Sequence, residues 1–391
     1  MSDTLTVIGT STHRRAFRTP VCRVLVNGVE PTGYYPTSIS ISRSRYASCD
    51  TVNVEFSIDR GAVKPSNYWF DLASPAAGST LADIPIIIEM RDKEVSGDQW
   101  TRMFEGIVDH VSFDPGNTTL QIMGRDNLAK LMDLRVMDGW LNKTGPELVK
   151  TMIETAGLTA NVTLPGGYEG QYWQIEHKRQ SSAAQHRFQT AYDLARYIAN
   201  GSNCDLYADG QTIVCAPYPK SSDSSAVIHQ LPYTDAGDGT PVQANVRSIM
   251  LERDYQIAKG VEVHCISWDS KQRIKAEVYF SATGGSKKKA LDNGTLHSFR
   301  FPGLKQDMLL AKAQMLYKQI VAHERTVALS IPGMLTLAPR QFFRLHGTGT
   351  TWDGTIDVDA VQTDFTTGGS FVQNVTLRNR STTDNEDGEY D

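Results

Sequence analysis

At 391 residues the chain is too long for one compact core, and 40% hydrophobic with 21% charged residues is the composition of a folded, water-exposed protein. The most apolar short run, Ile84 to Ile88, is far shorter than a membrane span, so no membrane insertion is expected. A net charge of −5 excludes the broad basic face of a sequence-independent nucleic-acid binder, and five scattered cysteines without a C-x-x-C pair indicate neither a zinc module nor a disulfide framework.

Residues 1–20 are polar and basic through His13, Arg14, Arg15 and Arg18 and read as an arm. No basic start leads into an apolar segment, so no secretory signal is expected, and assembly in a reducing cytoplasm follows. Strands are predicted at 22–29, 37–46, 51–59 and 84–92; Ser38, Ser40 and Ser42 alternate with Ile39, Ile41 and Arg43 at the period of a half-buried strand. A long strand ending near Asp114 is interrupted at Gly106, where a bulge or bend is expected. Pro115-Gly116-Asn117 turns the chain and Leu120 to Ile122 leads it back, which completes a small barrel or sandwich.

Asp126 is placed to cap a helix over 127–134. A second helix over 145–156 is marked by the Thr144/Glu147 capping box, Pro146 in its first turn and Gly157 as its stop, with Leu148, Val149, Met152 and Ile153 on its buried face. A third, 191–200, starts at Thr190 and Asp193 and ends at Gly201. An Asp209-Gly210 turn then predicts a hairpin with Cys204 opposite Cys215, either two reduced core thiols or a bridge, with the compartment favouring thiols.

Two Gly/Ser-rich stretches, 163–188 and 218–246, read as exposed loops. The first carries Tyr168, Tyr172 and Trp173, which either contact a partner or fold back onto the helices. Strands resume from Arg247, from Gly260 and from Gln272. Lys287, Lys288 and Lys289 lie in a basic loop at 284–294, read either as a contact for phosphate or an acidic surface or as a solvated loop. A helix over 305–323 aligns Leu309, Ala313, Leu316 and Ile320, and three further strands follow. The last eleven residues form an acidic tail expected to be disordered.

No catalytic constellation emerges, and no cofactor or metal is expected. Asp109 and Asp126 could be a glycosidase-type pair, but one sits in a patterned strand and the other at a helix start. His323-Glu324 lacks the second histidine of a zinc-protease motif, since position 327 is Val, and His264 and Cys265 alternate to opposite faces of a strand. What does stand out is an internal echo. Gly106-Ile107-Val108-Asp109 opens one hairpin and Gly354-Thr355-Ile356-Asp357 opens another, so the chain is read as carrying two copies of one small β-domain.

The run Phe104-Glu105-Gly106-Ile107-Val108-Asp109, then Gly124-Arg125-Asp126, the helix ending near Asp133, the Thr144–Gly157 helix, the Thr190–Ala195 helix start and Asp205–Gly210 resemble, in this order, the baseplate hub family of contractile-tailed bacteriophages. These tail-hub or late-control proteins are related to the hub part of type VI secretion spikes. The similarity covers roughly residues 20–220 and, more loosely, continues to about 380. The resemblance implies an α+β, β-rich fold with two tube-like β-barrel domains and smaller α/β domains inserted between them. On this chain the barrels map to 21–135 and 247–380 and the α/β domain to 136–246, with Phe104, Gly106, Asp109, Gly124, Arg125, Asp126, Gly354 and Asp357 as structural motif residues. It implies a homotrimer forming a pseudo-sixfold ring between the tail tube protein and a separate central spike protein. Tape measure and baseplate wedge proteins are further expected partners, DNA is met only in transit, and the expected location is the virion, assembled in the host cytoplasm. The acidic net charge predicts a bore lined by acidic or neutral residues. A glycan-binding β-sandwich of a tail tip is the alternative, and a cell-wall lytic enzyme a third reading.

Overall fold

The protein is seen in a computed structural model, which describes residues 19–45, 47–64, 68–70, 82–93, 97–136, 143–164, 189–233, 246–269, 274–291, 294–301, 304 and 306–379. The expected N-terminal arm, the acidic tail and the aromatic residues Tyr168, Tyr172 and Trp173 lie outside the described residues, Thr19 and Pro20 apart.

Six strands come first: β1 (Pro20–Val26), β2 (Tyr34–Ser44), β3 (Thr51–Ile58), β4 (Pro85–Asp92), β5 (Thr101–Asp114) and β6 (Thr119–Asp126). Their alternation is clearest in β3, where Val52, Val54, Phe56 and Ile58 are buried and the intervening residues are not. Gly106 is not the bulge that its sequence position suggested. The register shifts fall on either side of it, skipping Met103 opposite β4 and Asp109 opposite β6. Gly106 is needed for a different reason: a Cβ there would lie 2.1 Å from the carbonyl oxygen of Arg125 on β6. Gly124 shows the reciprocal approach, 2.5 Å from the Ile107 carbonyl oxygen.

Helix α1 (Leu128–Asp133) follows β6 directly. Asp126 Oδ1 accepts the Leu128 N–H at 3.0 Å, while Asn127, at the N-cap position, instead donates its side-chain amide to the Gly210 carbonyl. Helix α2 (Gly145–Thr155) carries the capping box, with Glu147 accepting the Thr144 N–H and Thr144 Oγ1 accepting the Glu147 N–H. Strand β7 (Thr159–Val162), helix α3 (Ala191–Gly201) and the hairpin β8 (Cys204–Asp209) and β9 (Thr212–Pro217) complete a small α/β layer over Leu148, Ile153, Leu194, Ile198, Leu206 and Ile213. The hairpin turns at Gly210-Gln211, so Cys215 faces Leu206, and Cys204 faces Pro217 rather than Cys215. Both cysteines are buried free thiols, and burial pushes Cys215 up to about 12.

The stretch expected to be loop at 218–246 contains strand β10 (Ile228–Pro232). Next come β11 (Ser248–Arg253), a one-turn helix α4 (Tyr255–Ala258), β12 (Val261–Asp269), β13 (Ile274–Ser281), the short β14 (Gly284–Ser286) within the basic loop, and β15 (Thr295–Arg300), which the sequence pattern did not reveal. Helix α5 (Gln306–Val321) buries Leu309 and Ala313 fully, and Leu316 and Ile320 partly, against β12 and β13. Residues 255–321 are thus an α/β unit of their own, set between β11 and the last four strands, β16 (Arg325–Pro332), β17 (Phe342–His346), β18 (Gly354–Thr366) and β19 (Phe371–Arg378).

Twelve strands belong to one sheet, mostly antiparallel, and no barrel closes among the described residues. Within it the same arrangement occurs twice. The first six strands run β1-β4-β5-β6-β3-β2; the last six run β10-β17-β18-β19-β16-β11, which is the same order if β10, β11 and β16–β19 are renumbered one to six. One ladder differs, since β1 meets β4 antiparallel whereas β10 meets β17 parallel. The two six-stranded units are joined where β2 pairs with β18, Ser38–Ser44 against Thr366–Ala360.

Candidate functional site

The repeat builds one charged clamp twice. In the first hairpin the extra residue of the bulge is Asp109, between Val108 and His110, and Arg125 from β6 grips it with Nε at 2.7 Å and Nη2 at 2.8 Å. In the second the extra residue is Asp359, between Val358 and Ala360, and Arg378 from β19 places Nε 3.2 Å from its Oδ2. The strand registers therefore match Asp109 with Asp359, two residues beyond the Asp357 that the sequence echo aligns with it. A bulge directs its extra side chain out of the ladder's alternation, so an acid there can be held by a base from the neighbouring strand.

The two clamps differ in what covers them. Asp109 is 31% exposed, Asp359 only 2%. Over the second lies the end of β2. Arg45 donates its backbone N–H to the Asp359 carbonyl at 2.9 Å and Nη1 to Asp357 Oδ1 at 3.1 Å, in a pair of which 1% and 5% are exposed. Burial pushes Asp359 up to about 7, against the pull of Arg45 and Arg378, with Asp357 adding to the rise. The rest of the joint is a polar ladder and an apolar one on opposite faces. Ser40 donates to Asp364 at 2.7 Å and receives from Gln362 at 2.6 Å, while Ile39, Ile41, Val361 and Phe365 are buried.

A second buried polar cluster sits where the helical layer meets both units. Asp126 Oδ2 accepts the Asp50 N–H at 2.9 Å; burial, then the Asp50 charge, pushes Asp126 up to about 7. Burial also pushes Asp50 up and Arg43 down. Arg340, whose φ of 75° is left-handed, donates Nε to Asp205 at 2.7 Å and lies 3.9 Å over the Tyr207 ring. Arg43, Asp50, Asp126, Tyr207 and Arg340 line a cavity of about 390 Å³ with Arg102 and Gln341, but the carboxylates of Asp50 and Asp126 are committed to backbone N–H groups, and Asp205 beside it to Arg340. That chemistry fastens layers together; it does not present a base to a substrate.

The remaining motif residues also have structural surroundings. Phe104 is in the first core, Gly354 opens β18, and Asp357 takes the Arg45 contact. Lys287, Lys288 and Lys289 are exposed beyond β14, their loop held by Ser286 Oγ, which accepts the Lys288 N–H. Sequence reasoning missed Arg45, Asp359 and Arg378; the signal was the repeated Val-Asp at 108–109 and 358–359 with an arginine on each partner strand. One further cluster resembles a serine-hydrolase arrangement, with His264 Nε2 2.6 Å from Glu277 and Nδ1 3.4 Å from Ser298 Oγ. It lies on an open sheet face with Ser298 exposed, Lys275 on the same carboxylate and the imidazole stacked on Tyr279, and the serine contact is too long to activate a nucleophile. Among the described residues no group of three His, Cys, Asp or Glu could hold a metal ion, and no helix is long and apolar enough to cross a membrane.

No protein-family model and no curated protein matches this sequence. Solved structures do match. The 43 kDa tail protein of prophage MuSo2 from Shewanella oneidensis superposes with a TM-score of 0.59 at 14% identity, over 93% of this chain and 99% of that one. A tail protein from Neisseria meningitidis MC58 gives 0.62 at 13% identity, over 92% and 96%. The c3393 protein of E. coli, described as a type VI secretion component similar to T4 bacteriophage tail proteins, gives 0.50 at 9% identity, over 91% and 76%. The chain therefore has a fold shared by phage tail proteins and a component of the type VI secretion system.

Proposed function

We propose that this chain is a structural hub of a phage tail, a homotrimer that joins a sixfold tail tube to a threefold central spike. The observation that carries this reading is the doubled strand order within one continuous sheet. Three copies with two such units each would set six similar units round an axis, while the two α/β layers, present once per chain, keep the assembly threefold. The fold likeness to tail proteins supports a role in the tail and the virion. It also favours a structural over a catalytic protein, as do the charged clusters, whose members hold one another. In this reading the tube-like walls are the two six-stranded units, the first within 21–135 and the second within 247–380 with β10 added and residues 255–321 set apart, closed into barrels only by assembly, with DNA passing along an acidic or neutral bore. The motif residues Gly106, Asp109, Gly124, Arg125, Asp126, Gly354 and Asp357 shape those walls. Lys287–Lys289 and the aromatic residues Tyr168, Tyr172 and Trp173 are contacts for the spike, wedge or tape partners.

The test is the mass of the purified full-length chain in solution together with class averages of the particle. Three copies with pseudo-sixfold symmetry are expected. A monomer that binds glycans would replace the hub by a tail-tip lectin, and a bore lined with Lys and Arg would remove the proposed channel chemistry.

A further inference from the structure

Matching the two units strand by strand leaves one joint filled and one empty. Thr51 pairs with Arg125 as Thr326 pairs with Arg378, so Val52, Val54 and Phe56 correspond to Val327, Leu329 and Ile331, all of them buried. One strand further out, Ile39 and Ile41 of β2 correspond to Ile249 and Leu251 of β11. In the second unit, β18 has β19 on one side; on the other it has β17 over Gly354–Asp357 and then β2 over Ala360–Thr366. In the first unit, β5 has β6 on one side and β4 over Thr101–Ile107 on the other. Beyond the Asp109 bulge, over His110–Asp114, no strand among the described residues pairs with that edge. Strand β11, the counterpart of β2, pairs among the described residues with β16 and no other strand.

We infer that β11 of one copy of this chain pairs antiparallel with the last residues of β5 in the next copy, repeating between chains the β2·β18 joint within each. This rests on the ring proposed above and names its seam. Exposure supports it position by position. Ile39 and Ile41 are buried but Ile249 and Leu251 only half-buried; Val361 and Thr363 are buried but Val111 and Phe113 only half-buried. Met250, which would stand over the seam, is 58% exposed. No proline interrupts β11, so its backbone is free of that block to pairing. A patch on one unit meeting a different patch on the next is a head-to-tail contact, which closes into a ring when the rotation allows.

The register carries over as well. The filled joint sets Val361 against Arg43, Gln362 against Ser42, Thr363 against Ile41 and Asp364 against Ser40. The empty one then sets Val111 against Arg253, Ser112 against Glu252, Phe113 against Leu251 and Asp114 against Met250. Arginine recurs at the matched position, and Phe113 meets Leu251 on the core face.

The test is disulfide capture in the full-length chain. Directly opposed antiparallel residues lie about 4.5–5.5 Å apart at Cα, within disulfide reach. Ser112 and Glu252 are exposed, so their replacement leaves the core untouched. Under mild oxidation the S112C/E252C variant, or a mixture of the two single variants, is expected to give linked dimers, and the double variant linked trimers. Neither single variant should link on its own. Pairing S112C with M250C should give about tenfold less product, because two residues along a strand displace the thiol by ~7 Å. A trimer by mass without the Ser112–Glu252 link, or with stronger linking to M250C, would overturn the seam and leave the ring standing. A chain that stays monomeric and unlinked at every concentration would overturn both.

Discussion

Replacing Arg45 by Met tests whether buried charge holds the two six-stranded units together. The guanidinium is 1% exposed and faces Asp357, itself 5% exposed, with Asp359 close behind. Methionine keeps an aliphatic stem but removes the guanidinium, which lies 4.9 Å over the Tyr218 ring, from two buried carboxylates. Removing one member of a buried pair costs about 3–5 kcal/mol, because the partner's charge is left without compensation. Part of that cost should depend on pH. Asp359 already sits near pH 7 in the folded protein and is pushed further up once Arg45 is gone, so at pH 6 it takes a proton and the uncompensated charge shrinks. Urea unfolding of R45M, followed by a signal from the sheet, should therefore show a deficit of about 3–5 kcal/mol at pH 8 that is smaller at pH 6. A deficit below about 1 kcal/mol, the value of an exposed pair, or one equal at both pH values, would refute the argument.

Three further outcomes follow from the same geometry. Asp359 and Asp126 have folded pKa values raised to about 7, so the folded state holds more protons than the unfolded one and stability falls as pH rises through that value. Between pH 6.5 and 8 the loss is about 0.8 kcal/mol for each carboxylate, and D359N should reduce the fall in stability over that range by about that amount in urea unfolding; an unchanged slope would contradict it. His229 and His323, both lowered by burial, act in the opposite sense, most strongly below pH 6.5, and are shared by D359N and the parent, so the difference between the two proteins isolates Asp359. G106A should cost about 1–3 kcal/mol and G157A less in thermal unfolding, because the first collides with the Arg125 carbonyl while the second meets nothing and only strains a φ of 75°. Cys204, Cys215 and Cys265 should resist iodoacetamide at neutral pH until the chain unfolds, since burial raises all three thiols; rapid labelling of the native protein would contradict it.

Local signals were legible in the sequence and long-range ones were not. Helix α2 begins and ends where Thr144, Glu147 and Gly157 place it, because caps and stops are decided within one turn. Strand β3 was legible because its alternation is driven by burial on one face only. The Cys204 hairpin was read two residues out of register because Asp209-Gly210 is a favourable turn pair, whereas Gly210, with φ of 60°, opens the turn and Gln211 closes it. The echo was correct in naming the two hairpins and misaligned their aspartates, since nothing in a sequence announces how many residues a bulge absorbs. Strand β10 was hidden in a loop-like composition and is held by pairing with β17, more than a hundred residues away in the chain. Ser40 looked like a solvent-facing strand residue; its partner Asp364 is 324 positions distant.

That same serine strand explains why a buried ion pair belongs at the joint. From Ser38 to Ser42, β2 reads Ser-Ile-Ser-Ile-Ser, so sliding it by one residue along β18 would turn the isoleucines out of the core. Sliding it by two would not, because the isoleucines would return to the core face, Ile41 opposite Val361 and Ile39 opposite the buried Thr363, with Ser38 and Ser40 opposite Asp364 and Gln362. Hydrophobic patterning therefore leaves the register degenerate. Arg45 removes the degeneracy, because a two-residue slip displaces it by ~7 Å along the strand from Asp357, which it now meets at 3.1 Å. A slip that carries Arg45 toward Val361 would bury a cation and two carboxylates apart from one another, at the cost of a broken buried pair, and the opposite slip would bring Arg43 to Asp359 only by breaking its bond to the Leu337 carbonyl. Apolar contact thus supplies the adhesion between the units, and the charge decides the register at which they adhere. The register in turn sets how far one unit is shifted along the next. The hub function proposed above, in which regularly spaced units are presented to a partner, needs that quantity to have one value.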